Sequence, residues 1–353
     1  MDRWQAAAGL IGLYGCAWLF STNRRNMNWR LILVGTGLML GIGLFVFQVP
    51  AGRQAFLTFN DAFGVILAAS AEGSKFVFGD LATGKPVGFI LAFQALPQII
   101  FFSALVAILN HYGILPAIIR AFAAVFTRLL RTSGAESLCA ASNIFVGVES
   151  GLAIRPHLGG MTRSELCTIM TVAMATVSSN VMGAYVFMVG SSFPNIAGHL
   201  LSASLLSAPA ALVIAKIICP EDGSPETLGA SIHPHYDRAP TCFAAIIDGA
   251  NTGLQLVLGI AALLIAMVGL VALANAGVGY LGTATGCGCA WSIEGFLAKI
   301  FTPFCWLMGL NGADAGDVAQ LLGERVVKTE FASYAHLHDM LIRPEAPLSP
   351  RAG

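Results

Sequence analysis

Charge is what this sequence carries least. Only 11% of its 353 residues are Asp, Glu, Lys or Arg, against about 25% in a soluble domain. A water-facing surface cannot be tiled with so few charges. That shortage excludes an ordinary soluble enzyme, a disordered chain and a nucleic-acid binder, so no nucleic acid is expected as a partner. No excess of either sign compensates: 19 basic residues balance 19 acidic ones, and no bulk field draws a charged partner. Cysteine is sparse and scattered, with eight at positions 16, 139, 167, 219, 242, 287, 289 and 305. Most sit in or beside apolar runs, where Cys acts as a small hydrophobe. Cys287 and Cys289 form a C-x-C in a Gly-rich turn, but a metal site needs more ligands nearby. What the chain has instead is apolar length: 56% of its residues are in the set AVILMFWYC. That composition describes a polytopic membrane protein.

Residues 5–21 read as a first spanning helix. Asp2-Arg3 is a poor basic leader and Thr22-Asn23-Arg24-Arg25 a poor cleavage site, so a signal peptide does not fit. Residues 31–49 form a second span, since about 20 apolar residues cover a bilayer core of about 30 Å. Arg24, Arg25 and Arg30 between the two spans make that loop cytoplasmic. Residues 50–78 mix Arg53, Asp61, Glu72 and Lys75 with many apolar side chains and read as an interfacial amphipathic helix. The alternative is a poor span with tolerated charges. Residues 87–109, 166–189 and 196–218 are expected spans, and 243–275 is too long for one perpendicular crossing. The chain divides into N-terminal spans (1–50), an interfacial helix with a scaffold span (51–110), a first hairpin half (111–220), a polar loop (221–241) and a second half (242–353). His233 and His235 in that loop form a His-x-His with no third His nearby, which favours a solvated loop over a metal site.

Two elements do not span cleanly. Over 115–148, Arg120, Arg128 and Arg131 interrupt an apolar run and Thr132–Ser137 breaks it. Over 293–337, residues 311–317 break a second run, and 318–337 resumes with Glu324, Arg325, Lys328 and Glu330. Each reads as a re-entrant hairpin, tolerated only where protein or a cavity surrounds it; the alternative for the first is one poor span plus a loop. Two interrupted elements in corresponding halves point to a substrate site near the membrane midplane. Glu149 and Glu330 lie beside them, and an ionisable residue at membrane depth is a functional candidate. The structural alternatives are ion pairs: Glu149 with Arg155, and Glu330 with Lys328 or Arg325. On a helix Lys328, two residues away, diverges from Glu330, and Arg325, five away, is also poorly placed.

The ordered motifs resemble the concentrative nucleoside transporter family. They run from Phe76-Val77-Phe78-Gly79 through Ala135-Glu136-Ser137, Asn143-Ile144-Phe145-Val146-Gly147, Arg155-Pro156 and Met161-Thr162-Arg163-Ser164-Glu165-Leu166. Met174-Ala175-Thr176, Ser207-Ala208-Pro209 and Glu330-Phe331 with Tyr334 complete the set, which covers residues 30–340. The resemblance implies an all-α polytopic membrane protein with two re-entrant helical hairpins, broken helices and an interfacial amphipathic helix. It implies a sodium- or proton-coupled importer of nucleosides, a homotrimer in a bacterial inner membrane. By position, Gly147, Val148 and Glu149 would meet the nucleobase, Val181 would add an apolar base contact, and Glu330 would meet the ribose hydroxyls. Asn143, Val146, Thr176 and Val177 match the family's cation site.

Three departures stand out. Gly147-Val148-Glu149-Ser150-Gly151 replaces Gly-Gln-Thr-Glu-Ala-Pro and is one residue shorter, and Val148 cannot hydrogen-bond a base edge. Thr329 stands where the family has Asn. The family also continues beyond residues 349–351 into a further helix carrying Phe-Ala-Asn and a Ser, whereas this chain ends at Gly353. That ending predicts impaired transport, and its alternative reading is a non-transporting truncated or regulatory membrane protein. An enzyme is disfavoured: His111, His157, His199, His233, His235, His336 and His338 lie mostly at span ends or in loops, with no convincing catalytic partner.

Overall fold

The computed structural model describes residues 3–84, 88–147, 150–230, 232, 239–284, 291–310 and 312–342. Among them the chain is helical, and the one β interaction is an isolated antiparallel bridge between Ser133 and Leu228. Helices α1 (Arg3–Leu19) and α2 (Trp29–Gln48) flank the arginine-bearing turn. Asn28 caps α2 by accepting from the Leu31 N–H at 3.1 Å. Helix α3 (Pro50–Phe78) starts on a proline, whose missing N–H would have had no helical partner anyway. Its bounds match the expected interfacial helix. A Cβ on Gly52 would fall 1.9 Å from the Phe45 carbonyl oxygen, so only glycine permits this tight passage from α2 into α3.

The span expected at 87–109 is found at Leu91–His111, with a single turn residue at Ala95. Single turns α4 (Asp80–Thr83) and α5 (Leu91–Gln94) precede α6 (Leu96–His111), which begins with its own proline. The first hairpin is α7 (Ile114–Leu130) folding back as α8 (Gly134–Val146), with Arg131 left-handed at the corner (φ 53°). A short turn α9 (Ser150–Ala153) and a 3₁₀ turn at Arg155–Gly160 lead to α10 (Arg163–Ala175) and α11 (Ser179–Val189). The region 166–189 is therefore long and apolar enough to cross a membrane, as expected, with a break at residues 176–178. Thr176-Val177-Ser178-Ser179-Asn180 explains the break, because β-branched and hydroxyl residues favour caps and turns over helix interiors.

Helix α12 (Ile196–Ile218) is a clean span, and α13 (Cys242–Ala284) runs 43 residues, about 65 Å at the helical rise. It exceeds the expected 243–275 at its far end. The second hairpin is α14 (Ile293–Leu307) and α15 (Gly312–Val327), followed by α16 (Glu330–Ile342). The sequence pattern suggested one run over 318–337, but the chain breaks at Lys328–Thr329. Val326 and Val327 are weak helix formers, while Thr329 and Glu330 suit a helix start.

The described residues form two compact bodies. One comprises Ala17–Phe187 with Asn195–Leu256, and its core buries Ile99, Ile119, Phe126, Leu138, Ile144 and Leu212 completely or nearly so. Gly249 and Gly253 of α13 sit against the backbone of α6, the small-residue packing that lets membrane helices approach closely. Phe102 of α6 stacks on Phe63 of α3 at 5.0 Å and fills the space beside Gly183 of α11. The other body lies within Met1–Cys16, Met188–Pro194 and Val257–Gly353, with Cys305, Ala315 and Ala319 buried between the arms of the second hairpin. Among the described residues five helices are long and apolar enough to cross a membrane. Leu258, Ile265 and Leu273 of α13 are exposed, a surface that lipid tails solvate and water does not.

Candidate functional site

The arm α8 of the first hairpin is buried at every residue except the half-buried Phe145. A helix start in that setting must have its free N–H groups met. Ser133 and Glu136 meet two reciprocally in a capping box, each bond 3.2 Å. The loop after α12 meets others: Gly134 N–H donates to the Thr227 carbonyl at 2.8 Å and Ala135 N–H to Thr227 Oγ1 at 3.3 Å. The polar loop expected at 221–241 thus begins by docking on the hairpin tip; His233 and His235 lie outside the described residues. Charge is matched by the same elements. Lys216 places Nζ 2.6 Å from Glu136 and 3.0 Å from Glu221, and donates to Ser164 Oγ at 2.9 Å.

Burial pushes the Glu221 carboxyl up, but the Lys216 hydrogen bond and charge, with donors from Thr162 and Gly223, outweigh it and hold the group below the usual carboxylate range. A depressed folded-state value contributes stability above the unfolded-state value, lost as pH falls through the folded one. Melting midpoints in detergent should therefore be level from about pH 7 to pH 5 and fall below about pH 4. Glu221→Gln should remove part of that acid slope; an unchanged slope would deny Glu221 the role.

Asn143 is fully buried on α8. Its carboxamide has one consistent orientation. The Val172 carbonyl can only accept, so the atom facing it is Nδ2. Thr176 Oγ1 donates its proton to the Asn143 main-chain oxygen at 3.0 Å, so it too accepts from Nδ2. Asn143 Oδ1 then accepts from Ser150 Oγ at 3.4 Å. Thr176 is extended (φ −123°, ψ 158°), and the unwound stretch bares carbonyls, of which Val177 accepts from Ser204 Oγ at 3.4 Å. Val146, the last residue of α8, is buried. An amide, a hydroxyl and main-chain carbonyls are hard oxygen donors, suited to an alkali cation. For Asn143 to act as a ligand its amide must turn Oδ1 toward Thr176. Ser150, able to donate or accept, can partner either face of the amide.

Gly147 ends α8 at φ 73°, and a Cβ there would lie 2.3 Å from Ser178 Cβ. Glycine alone lets the hairpin end press on the helix break. Val148 and Glu149 lie outside the described residues. Val181 is half-buried in the first turn of α11. Glu330 opens α16 in the other body and is ion-paired with Arg325. The spacing argument against that pair assumed a continuous helix; the break at Thr329 folds position 330 back toward 325. His336 also has a carboxylate partner, with Nδ1 2.9 Å from Glu324, beside a Lys328–Glu294 pair at 2.9 Å.

Sequence reasoning passed over Lys216, Ser150 and Ser204. Lys216 carried a signal, being a lone cation in an apolar span. Glu136 carried one too, as the fourth residue of a Ser-x-x-Glu cap. Ser150 and Ser204 carried none, because hydroxyls are common in membrane helices.

A helical membrane protein with a buried oxygen-lined break beside a hairpin end has the architecture of a secondary transporter. Family profiles agree along the chain: "Na+ dependent nucleoside transporter N-terminus" matches residues 8–81, "Nucleoside recognition" 92–192, and "Na+ dependent nucleoside transporter C-terminus" 199–353. The chain is 35% identical to an uncharacterized transporter of Haemophilus influenzae over 92% of this chain and 77% of that protein. It is 33% identical to the nucleoside permease NupC of Helicobacter pylori, over 94% of this chain and 79% of that one. A solved structure of CNTnw in an inward-facing substrate-bound state is 31% identical, covers 100% of this chain and 84% of that chain, and superposes with a TM-score of 0.89. The chain belongs to the concentrative nucleoside transporter family. It is a multi-pass membrane transporter and not an enzyme.

Proposed function

We propose that the protein imports nucleosides by secondary transport coupled to a cation, with sodium as that cation, as a homotrimer in a bacterial inner membrane. The observation that carries the coupling is the convergence of Asn143 and Thr176, from two different elements, on one unwound stretch. Asn143, Val146, Thr176 and Val177 would hold the cation, which would supply positive charge beside the hairpin end. Gly147, Val148, Glu149 and Val181 would line the base side, and Glu330 would accept from the ribose hydroxyls. The bacterial permease and the sodium-dependent family profiles support this reading, as does a sodium/nucleoside cotransporter 1 of mouse, 34% identical over 96% of this chain and 52% of that protein.

The test is uptake of labelled uridine and adenosine into vesicles containing the protein, with and without a sodium gradient. Uptake that follows a proton gradient and ignores sodium would replace sodium by the proton. Failure of both gradients to drive either nucleoside would overturn the reading. Glu330→Gln probes the sugar contact. A hydrogen bond to a charged acceptor contributes about 1.5–3 kcal/mol, so uridine affinity should fall by about 10- to 100-fold while sodium-dependent stabilisation persists. An analogue lacking both ribose hydroxyls should bind both forms alike, and equal loss for that analogue would remove Glu330 from the sugar site.

A further inference from the structure

Helix α2 meets α12 along one face and leaves an adjoining face open. A Cβ on Gly35 would lie 2.3 Å from Val213, whereas around Gly37 and Gly41 there is nothing within 4 Å. Phe56 of α3 lies over Gly198 of α12, at the edge of that open face. The result is an apolar groove of about 530 Å³, lined by Gly37, Gly41 and Phe45 of α2, Phe56 and Phe59 of α3, and Leu205 of α12. A second cavity of about 260 Å³ shares Val46 and Phe56 with it and is lined by Arg53, Asn195 and His199. The His199 ring is fixed there between Phe47, stacked at 6.0 Å, and Phe56, edge-on at 5.2 Å. Arg53 is exposed and makes no ion pair among the described residues.

We propose that these two adjoining cavities form a binding site for one phospholipid with an anionic headgroup, its phosphate at Arg53 and His199 and one acyl chain along Gly37, Gly41 and Leu205. The chemistry is laid out as such a lipid requires: a cation, an amide and an imidazole at one end only, then an apolar slot. Its depth agrees. The arginine-bearing turn before α2 is cytoplasmic, so the far end of α2, with Arg53 just beyond it, lies in the opposite headgroup layer. Arginine there keeps its charge among phosphates while its stem lies on apolar surface. A second copy of the chain is the less fitting occupant, because a packed helix would leave Arg53 covered and without a counter-charge.

Native mass spectrometry of the whole protein, released from micelles holding equal phosphatidylglycerol and phosphatidylcholine, tests this. The parent should retain phosphatidylglycerol at least tenfold over phosphatidylcholine. Arg53→Gln should abolish that preference. Gly41→Leu, whose new side chain enters the open groove, should reduce retention of both lipids at least tenfold, with an unchanged melting midpoint in plain detergent. Unfolding midpoints in the same detergent give a second measurement. Added phosphatidylglycerol should raise the parent's midpoint but not that of either variant, and inorganic phosphate alone should not. Equal retention by parent and variants overturns the proposal. A midpoint raised equally by inorganic phosphate overturns the lipid as the source. A change of oligomeric state in Gly41→Leu with lipid retention intact overturns it in favour of a second copy.

Discussion

Lys216→Met should destabilise the protein by about 3–5 kcal/mol, the usual consequence of removing one partner from a buried ion pair. Glu136 is 1% exposed and Lys216 7%, with 2.6 Å between the charges. Methionine keeps the length of the lysine stem and the packing of α12, so the change isolates the charge. What remains is a carboxylate at the buried start of α8, with Glu221 also stripped of its cation at 3.0 Å. Denaturant unfolding of the detergent-solubilised protein reads the loss. Adding Glu136→Gln to Lys216→Met should recover most of it, because the neutral amide can still accept from Ser133 N–H in the capping box. A double variant as unstable as the single one would mean that Lys216 acts through packing. A Lys216→Met protein within about 1 kcal/mol of the parent would show that water reaches the pair and screens it. The position matters because Lys216, Ser164 and Glu221 join α10, α12 and the following loop to the base of the arm that carries Asn143 seven residues further on.

Much of the fold was legible because it rests on composition and breaks. The shortage of charge announced the membrane, Pro50 and the mixed charges marked α3, and the polar stretch from Thr132 to Ser137 marked the first hairpin corner. What stayed hidden was interruption inside apolar sequence. Thr176 to Ser178 contains no proline, glycine or charge, so hydropathy carries straight through it; only the cluster of β-branched and hydroxyl residues hints that the backbone unwinds. The break at Thr329 was masked by the helix-favouring run around Glu324 and Arg325, and missing it led directly to the misjudged Arg325–Glu330 pair. In the candidate site, Asn143 and Thr176 were reached through the family motifs and not through spacing, since contacts across 33 positions leave no periodic trace. Ser150 was hidden for another reason: its significance depends on which way the Asn143 amide faces, and that follows from acceptor-only groups on a different helix.

Asn143→Ala should weaken sodium binding while Asn143→Asp should keep it, and the contrast separates a ligand from a structural bridge. Asn143 has two duties. Its Nδ2 donates to the Val172 carbonyl and to Thr176 Oγ1, holding α8 to the broken helix. In the proposed cation site its Oδ1, once turned toward Thr176, would be the oxygen offered to the cation. Alanine deletes both, leaving buried acceptors unmet at about 1–3 kcal/mol and taking away a ligand. The sodium concentration for half-maximal uridine uptake should rise by about 10- to 100-fold, the range for one charge-assisted contact. Aspartate keeps an oxygen and adds charge, so cation binding should survive. It cannot donate to Val172, so the sodium-free protein should melt at a lower temperature than the parent. Sodium should then raise the midpoint of the Asn143→Asp variant more than the parent's, because a ligand that binds only the folded state stabilises it by RT ln(1 + [L]/Kd), which grows as binding tightens. Melting curves in sodium and in choline chloride read this without any transport. Should Asn143→Ala still gain stability from sodium as the parent does, the cation lies elsewhere and the α8–α10 contact is structural only.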